Sequence, residues 1–228
     1  MAIHKKWIAF DFPRWSYKCL FAERAYKMKI VAVYGSSRKK GFSSIAVDYA
    51  VKQFGNGRND IKKYRLAEMN FGGCKGCFAC RLKEGCIQRD DMTDLLNDII
   101  TADFVILSSP VYCFNLCGNF VKMFERLYPM LEGNKGAAGI PEKKTLKLPY
   151  SPRYGVKKCM LILSAGAGAV MCSGVRRRAE SNLKHNGFQN LGTVVIDGTY
   201  SKKEKSLTNR QKRKIERICG KISASRCI

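Results

Sequence analysis

The chain has 228 residues, 46% of them hydrophobic, which suits one α/β domain with a core of its own. It lacks the run of about 18 apolar residues that a membrane span needs and the apolar leader of a secretory signal, and its eleven cysteines indicate the reducing cytoplasm. Its net charge of +24 raises nucleic-acid binding as a hypothesis, but the segments 1–27, 132–160 and 201–228 hold +17 of it.

The first elements predict a phosphate site. Residues 1–27 are aromatic and basic without a clean period, and we interpret them as an N-terminal extension. Lys29–Tyr34 is a continuous β-branched run, which predicts a buried parallel strand. A loop of glycine and serine follows over 35–44, and a helix opens at its end. Helix N-terminal amides, serine hydroxyls and a cation such as Arg38 favour a phosphate, although a helix capped by a serine is the simpler alternative. The loop has neither the dinucleotide nor the triphosphate fingerprint.

A cysteine-rich loop over residues 72–92 follows the second predicted strand, Ile61–Leu66. Its four thiols are spaced C-x2-C-x2-C-x5-C, at Cys74, Cys77, Cys80 and Cys86. The first three cysteines, spaced C-x2-C-x2-C, resemble the ligation pattern of iron–sulfur clusters. Zinc sites more often pair two separated knuckles, and thiols without a metal are the third alternative. Glycines that would permit positive φ occur at Gly72, Gly73, Gly76 and Gly85. Basic side chains that would offset a thiolate-bound cluster are Lys75, Arg81, Lys83 and Arg89.

The third strand carries the next candidate site. Asp90-Asp91-Met92 starts a helix, since an acidic pair suits a positive N-terminal end. Asp103–Ser109 then predicts a strand buried on both faces, and it ends in the loop Pro110–Asn115. A loop at the carboxyl end of a central parallel strand is where open α/β sheets bind ligands.

The remaining elements complete an alternating pattern. Residues 132–158 are a long connection rich in Gly, Pro and Lys, which we interpret as an insertion. Two more strands are predicted at Cys159–Ser164 and Phe188–Ile196, with a helix from about Gly174 between them and a basic helix near 207–222 after them. Five strands alternating with helices predict one doubly wound α/β sheet. We expect a main domain over 28–200, followed by a basic C-terminal helix over 201–228.

Residues 28–131, and more loosely 159–222, resemble the flavodoxin-like NADPH-dependent FMN reductase superfamily. The resemblance is carried by Met28–Gly41 as the phosphate loop, by Pro110-Val-Tyr112 as the ring loop, and by Cys86-x3-Asp90-Asp91-Met92. The compact cysteine loop is similar to that of the iron–sulfur flavoprotein branch. The resemblance implies a three-layer α/β/α sandwich with strand order 2-1-3-4-5, bound FMN, a [4Fe–4S] cluster, and a homodimer or homotetramer.

The family's cofactor contacts transfer to this chain by position. The phosphate contacts implied by the resemblance are Ser36, Arg38, Ser43 and Ser44. The ring-bordering residues are Pro110, Val111, Tyr112, Cys113, Phe114 and Asn115, and the pocket is completed by Ser164, Ala165 and Gly166. The implied cluster ligands are Cys74, Cys77, Cys80 and Cys86. Tyr112 and Phe114 would stack on or near the flavin, with burial in the core as the alternative. Phe42 stands where the family usually has Asn, so phosphate binding would depend more on Arg38.

The sequence therefore favours a flavin-dependent oxidoreductase that passes electrons between a reduced donor, FMN and the cluster. The donor would be NAD(P)H or reduced ferredoxin, and no catalytic side chain is required because the chemistry occurs on the flavin. A flavin-only NAD(P)H oxidoreductase acting on FMN, quinones or nitro compounds, with structural cysteines, is the first alternative. A basic redox-sensing or nucleic-acid-binding module is the second, and it is disfavoured because no reader motif is recognisable.

Overall fold

The computed structural model describes residues 27–55, 57, 59–133, 150–201 and 205–224. The predicted extension over 1–27 therefore lies almost wholly outside the described residues, as does the middle of the connection over 132–158. The strands, in chain order, are β1 Lys29–Tyr34, β2 Asp60–Arg65, β3 Phe104–Tyr112, β4 Asn115–Leu116, β5 Leu131–Gly133, β6 Tyr150–Pro152, β7 Lys157–Ser164 and β8 Phe188–Ile196. The α-helices are α1 Phe42–Lys52, α2 Ala79–Leu82, α3 Met92–Thr101, α4 Gly118–Glu125, α5 Ser173–His185 and α6 Asn209–Ala224. Short 3-10 helices cover Tyr128–Met130 and Ala169–Cys172.

The five long strands form one parallel sheet in the order β2-β1-β3-β7-β8. This confirms the predicted order 2-1-3-4-5 of a doubly wound sheet. The apolar runs of β1, β3 and β7 lie at its centre, where both faces are covered, and this is why they read as continuous rather than alternating. Two short antiparallel pairs accompany the sheet: β4 pairs with the end of β3, and β5 pairs with β6.

Successive residues of the central strands pack into opposite layers, because side chains alternate across a strand. Val31 and Val33 of β1 face the layer of α3, α4 and α5, whereas Ile30 and Ala32 face the layer of α1 and α6. The helices cover the sheet with apolar stripes, such as Leu95 and Ile99 of α3 on the first face. The result is the expected α/β/α sandwich.

The C-terminal helix α6 contributes residues to the hydrophobic core. The sequence places basic residues on more than one side of α6, which predicted a largely solvated helix. In the structure, Ile215, Ile218 and Ile222 are buried in the same core cluster as α1. The apolar residues recur at helical spacing, so one apolar face of α6 packs against the sheet, and its basic residues lie on the other faces. Among the described helices, none combines the length and apolar character needed to cross a membrane.

Candidate functional site

A crevice of about 150 Å³ lies at the carboxyl edge of the sheet, between the turns that leave β1, β3 and β7. This is the edge at which open α/β sheets bind ligands. Its lining residues are Ser36, Arg38, Gly41, Phe42, Ser43, Pro110, Val111, Tyr112, Ser164, Gly166, Thr199 and Lys205. We call it the crevice below. Three predicted loops thus meet in one place because their strands are neighbours in the sheet.

The turn after β1 is built around the backbone of Arg38. The carbonyl of Arg38 accepts hydrogen bonds from the Gly41 amide at 3.1 Å and from the Ser44 hydroxyl at 2.9 Å, and the Arg38 amide donates to Ser36 Oγ at 3.1 Å. Gly35 passes so close to β3 that a Cβ there would lie 2.4 Å from the carbonyl oxygen of Ser108. The loop is therefore fixed by backbone contacts that leave the Arg38 side chain exposed.

The N-terminus of α1 opens into the crevice. Gly41 is its N-cap, and within the described residues no side chain caps it by a hydrogen bond, so the alternative of a serine-capped helix is wrong. The first turn, Phe42 to Ile45, carries no acidic residue. The amides at a helix N-terminus and the positive end of the helix dipole favour an anion. Arg38 and Lys205 add positive charge at the same opening.

The turn between β3 and β4 is a two-residue hairpin loop. Tyr112 pairs with Asn115, and the intervening Cys113 and Phe114 have φ of 48° and 56°. Two successive left-handed residues are the type I′ geometry that tight hairpins prefer, although glycine or asparagine is usual there. The Phe114 carbonyl is held by Arg178 Nη2 at 3.1 Å. Residues other than glycine in this conformation store strain, which occurs often at ligand-binding loops.

Tyr112 and Phe114 are available to a flat ligand. Their exposed fractions are 47% and 58%, so the alternative that they belong to the core is wrong. The turn after β7 lies opposite, where the Ala165 carbonyl accepts the amide and hydroxyl of Thr199. Gly166 lies under the ring of Tyr200, because a Cβ at that glycine would come within 2.2 Å of the ring. Of these exposed rings, that of Tyr112 lines the crevice, and that of Tyr200 lies against the lining residue Gly166.

The crevice contains only part of the predicted set. Eight predicted residues line it: Ser36, Arg38, Ser43, Pro110, Val111, Tyr112, Ser164 and Gly166. Ser44 and Ala165 are buried beside it, and Cys113, Phe114 and Asn115 lie in the neighbouring hairpin. Four lining residues are not among the predicted contacts: Gly41 and Phe42, which belong to the predicted phosphate loop, and Thr199 and Lys205, for which no role was predicted. Thr199 and Lys205 follow β8, and the rule that parallel strands end at one edge could have indicated them.

A second cavity, of about 370 Å³, is lined by all four thiols of the cysteine loop, and we call it the cysteine cleft. Cys74 and Cys77 are exposed, whereas Cys80 and Cys86 are half-buried. Burial raises the pKa of the Cys80 thiol, although the neighbouring Arg81 opposes this. The Gly76 amide donates to Cys74 Sγ at 3.4 Å.

Positive φ values shape the cysteine loop at Gly76, Phe78 and Gly85, at 65°, 55° and 80°. The prediction of such values at Gly72 and Gly73 is wrong. A Cβ on Gly73 would lie 2.6 Å from Glu125 Oε2, so that position is restricted by a close approach rather than by its φ. Glu125 Oε2 also accepts the Cys74 amide at 3.2 Å.

A buried ion pair fixes the cysteine loop to the body of the domain. Arg126, at the end of α4, donates from Nη1 and Nη2 to the two carboxylate oxygens of Asp90 at 2.7 and 2.9 Å. Its Nη1 also donates to the Gly72 carbonyl at 3.0 Å, at the start of the loop. The hydrogen bonds from Arg126 hold the pKa of the Asp90 carboxyl below its usual range. The pair therefore ties both ends of the loop to α4.

The chemistry of the cleft is that of thiolates. The nine cysteines that the structure describes are all free. Over the same residues, no three His, Cys, Asp or Glu side chains lie close enough together to share one metal ion. A single zinc ion needs such convergence, whereas a four-iron cluster is a larger body that takes one thiolate at each corner. Buried nitrogen atoms of Arg126 and Arg153 beside the loop have no acceptor, which fits a cleft made for an anionic group.

A groove of about 350 Å³ between α4 and α5 adjoins the β3–β4 hairpin and the cysteine cleft. Its lining includes Asn115 of the hairpin. It shares Glu125 and Tyr128 with the cysteine cleft. The hairpin and the cleft thus lie on neighbouring parts of the molecule.

Comparison with known families gives one match that covers most of the chain. The family model described as NADPH-dependent FMN reductase matches residues 28–205. Among curated proteins, an iron–sulfur flavoprotein of Archaeoglobus fulgidus is 36% identical over 102 residues, which is 45% of this chain and 46% of that protein. Another, from Clostridioides difficile, is 35% identical over 108 residues, or 46% and 48% of the two chains. The chain spans about half the length of the curated relatives it matches.

Solved structures extend the likeness over nearly the whole chain at the level of fold. A flavone reductase superposes with a TM-score of 0.62 at 15% identity, covering 87% of this chain and 62% of that one. An FMN-dependent NADH-azoreductase from Bacillus anthracis gives 0.61 at 9% identity, covering 86% and 99%. A protein from Klebsiella pneumoniae that is assigned as a quinone reductase gives a TM-score of 0.60 at 14% identity, covering 87% of this chain and 85% of that one. At such identities the likeness establishes the fold alone.

Proposed function

Because the chain belongs to the NADPH-dependent FMN reductase family, a family of flavin-dependent oxidoreductases, we propose that it binds FMN in the crevice and passes electrons between a reduced donor and an iron–sulfur cluster in the cysteine cleft. The observation that carries the FMN assignment is the N-terminus of α1, where no described side chain forms a capping hydrogen bond and which lies at the crevice with Arg38 and Lys205. A dianionic phosphate matches that arrangement of amides and cations. The curated relatives named iron–sulfur flavoproteins support the assignment of the cluster.

Different residues of the crevice would bind the phosphate and the ring of FMN. The amides of the first turn of α1, the hydroxyls of Ser36 and Ser43, and the Arg38 guanidinium would hold the phosphate. Backbone groups of Pro110 and Val111 at the end of β3 would border the ring, with Tyr112 beside it. FMN, when bound, accepts two electrons from a donor and can release them one at a time. No acid or base from the protein is needed for that role.

The four thiolates would hold a [4Fe–4S] cluster. Their donor set, Cys74, Cys77, Cys80 and Cys86, matches the four-thiolate ligation of such clusters. NAD(P)H or a reduced ferredoxin-like carrier would supply the electrons. We further propose that the chain works as a homodimer or homotetramer in the cytoplasm. In this scheme residues 28–200 form the FMN domain, with 1–27 as an extension and 201–228 as a basic helix.

A flavin-only reductase with structural cysteines is the second candidate. It is favoured by the separation of the thiols, since no three metal-binding side chains of the described residues converge on one point. In that case quinones, nitro compounds or free FMN would accept the electrons directly.

Anaerobic quantification of flavin and iron decides between the two. We expect one FMN and about four irons per chain in the wild-type protein, as a [4Fe–4S] cluster requires. Cys77→Ser should lose iron, whereas Cys113→Ser, which removes an exposed thiol outside the cleft, should keep it. Flavin without iron in the wild type would establish the flavin-only reductase. A protein with no flavin at all would reject both candidates.

A further inference from the structure

Two buried guanidinium nitrogen atoms beside the cysteine loop lack an acceptor. They are Nε of Arg126 and Nε of Arg153, and neither has a hydrogen-bond partner among the described residues. A buried donor without an acceptor costs stability, so a folded protein retains one where a missing group or a function compensates for it. Both arginines come from outside the loop: Arg126 is 36 residues from its partner Asp90, and Arg153 is 73 residues from its partner Cys80.

Arg126 reaches the loop from the end of α4. Its side chain is 1% exposed and is held by both oxygens of Asp90 and by the Gly72 carbonyl. An arginine guanidinium stays protonated in proteins, so Arg126 is a permanent positive charge in the lining that also contains Cys86.

Arg153 reaches the loop from the other side. It follows β6, where its amide donates to the Met130 carbonyl at 2.8 Å and fixes its backbone. Its Nη2 donates to the Cys80 carbonyl at 3.2 Å, within the loop itself. Two arginines from different elements thus bind the backbone of the loop at Gly72 and at Cys80.

We propose that Arg126 and Arg153 are positioning residues that hold the cysteine loop in its ligating shape and set the reduction potential of the cluster. This inference rests on the proposed cluster. A thiolate-bound cluster is anionic and gains one more negative charge on reduction, so nearby positive charge favours the reduced form and raises the potential. Water and salt screen exposed cations much more than buried ones. The buried Arg126 and the half-buried Arg153 should therefore outweigh the exposed Lys75, Lys83 and Arg89 that the sequence suggested.

The test measures iron content and midpoint potential in the anaerobically purified protein. Arg126→Gln and Arg153→Gln each remove one charge and keep a hydrogen-bonding side chain. Arg89→Gln removes the same charge from an exposed position within the loop and serves as the matched control. We expect Arg126→Gln and Arg153→Gln each to lower the affinity for the cluster about tenfold, as loss of groups that orient metal ligands does. We expect the retained cluster to be about tenfold harder to reduce, a shift of about 59 mV for one electron.

Arg126→Lys distinguishes the effect of the positive charge from that of the hydrogen bonds to Asp90. It also provides a second variant in case Arg126→Gln does not fold. Lysine keeps the positive charge but cannot make the two-pronged contact with Asp90, so iron should fall while the potential stays near the wild-type value. FMN content shows in each case whether the rest of the domain is folded.

The possible results are distinguishable. If Arg126→Gln and Arg153→Gln keep the iron and the potential of Arg89→Gln, the inference is wrong and the cluster assignment stands. If Arg126→Gln loses its FMN as well, Arg153→Gln decides by the same two measurements. A wild-type protein with flavin but no iron would overturn both the cluster and this role for the arginines, while leaving the FMN site in place.

Discussion

The crevice and the cysteine cleft are built by different means. The crevice is formed by backbone: turns that leave three adjacent strands, a helix N-terminus and a glycine that passes against β3. The cleft lies in a loop outside the sheet and is held by side chains, chiefly the pair of Arg126 with Asp90. A site made by strand ends is fixed once the sheet forms. A loop held by buried charges depends on each charge separately.

The two constructions predict different sensitivities to mutation. Substitutions near the crevice should act by steric clash or by weakening the affinity for an anion, because main-chain groups supply most of the shape of the crevice. Substitutions near the cleft should matter through uncompensated charge, which is costly when it is buried. Because the two regions use separate supports, damage to one should leave the cofactor of the other bound.

The largest expected effect is that of Asp90→Asn. The amide keeps the shape of the carboxylate but leaves Arg126, which is 1% exposed, without its counter-charge. Removing one partner of a buried pair costs about 3–5 kcal/mol, and we expect about 3 because Asp90 itself remains 18% exposed. Urea unfolding measures this change. Asp94→Asn, an exposed acidic residue in the first turn of α3, is the control and should cost well under 1 kcal/mol. Equal losses in the two variants would reject the role of the pair.

The next effect is that of Gly35→Ala, in the turn that leaves β1 beside the crevice. The added methyl group would lie 2.4 Å from the Ser108 carbonyl oxygen and 3.2 Å from Cys117 Sγ, so the loop must move. Overpacking of this kind costs about 1–3 kcal/mol, and we expect FMN to be lost while iron is retained. Gly118→Ala is the matched control, since its methyl group meets no atom of the described residues within 4 Å. Flavin absorbance per chain is the readout, and an FMN-loaded Gly35→Ala protein would contradict the expectation.

A smaller effect is expected from Arg38→Gln. Its guanidinium is exposed at the opening of the crevice, so it would strengthen phosphate binding without shaping the loop. Hydrogen bonds to charged groups contribute about 1.5–3 kcal/mol, and exposure places this one at the lower end, which is about a tenfold rise in Kd for FMN. Lys40→Gln, in the same loop but outside the crevice lining, should change Kd less than twofold at the same salt concentration. Fluorescence titration with FMN measures both, and equal Kd values would exclude Arg38 from the site.

The smallest expected effect is on how the free energy of unfolding depends on pH. Arg126 lowers the pKa of Asp90 in the folded protein, so the folded state binds fewer protons than the unfolded state as the pH falls. The stability from this pair is present above the unfolded pKa of about 4 and is lost as the pH falls through the folded pKa. The difference in unfolding free energy between wild type and Asp90→Asn should therefore be constant from pH 7 to 5 and shrink below about 4. A difference that grows on acidification would have the wrong sign.

The sequence by itself determined the local elements and the identity of the family. The apolar run 29–34 is a strand with the predicted bounds, because burial on both faces leaves a continuous apolar signal in neighbouring residues. The edge strand 188–196 also has the predicted bounds, although it is only partly buried. The phosphate loop and the cysteine spacing are also local patterns. They were sufficient to indicate both candidate sites and the family, which the match over 28–205 confirms.

Only the tertiary structure decided which distant side chains share a site. Lys205 and Arg38 both line the crevice, and Arg126 binds Asp90 from 36 residues away. No sequence pattern indicates that either pair lies close together. The structure also turned Ser44 inward, where its hydroxyl binds the Arg38 carbonyl instead of remaining available to a phosphate. Periodicity reports the burial of one element against its surroundings. It carries no information about which charge from another element will be buried beside it, because that depends on how strands and helices pack in three dimensions.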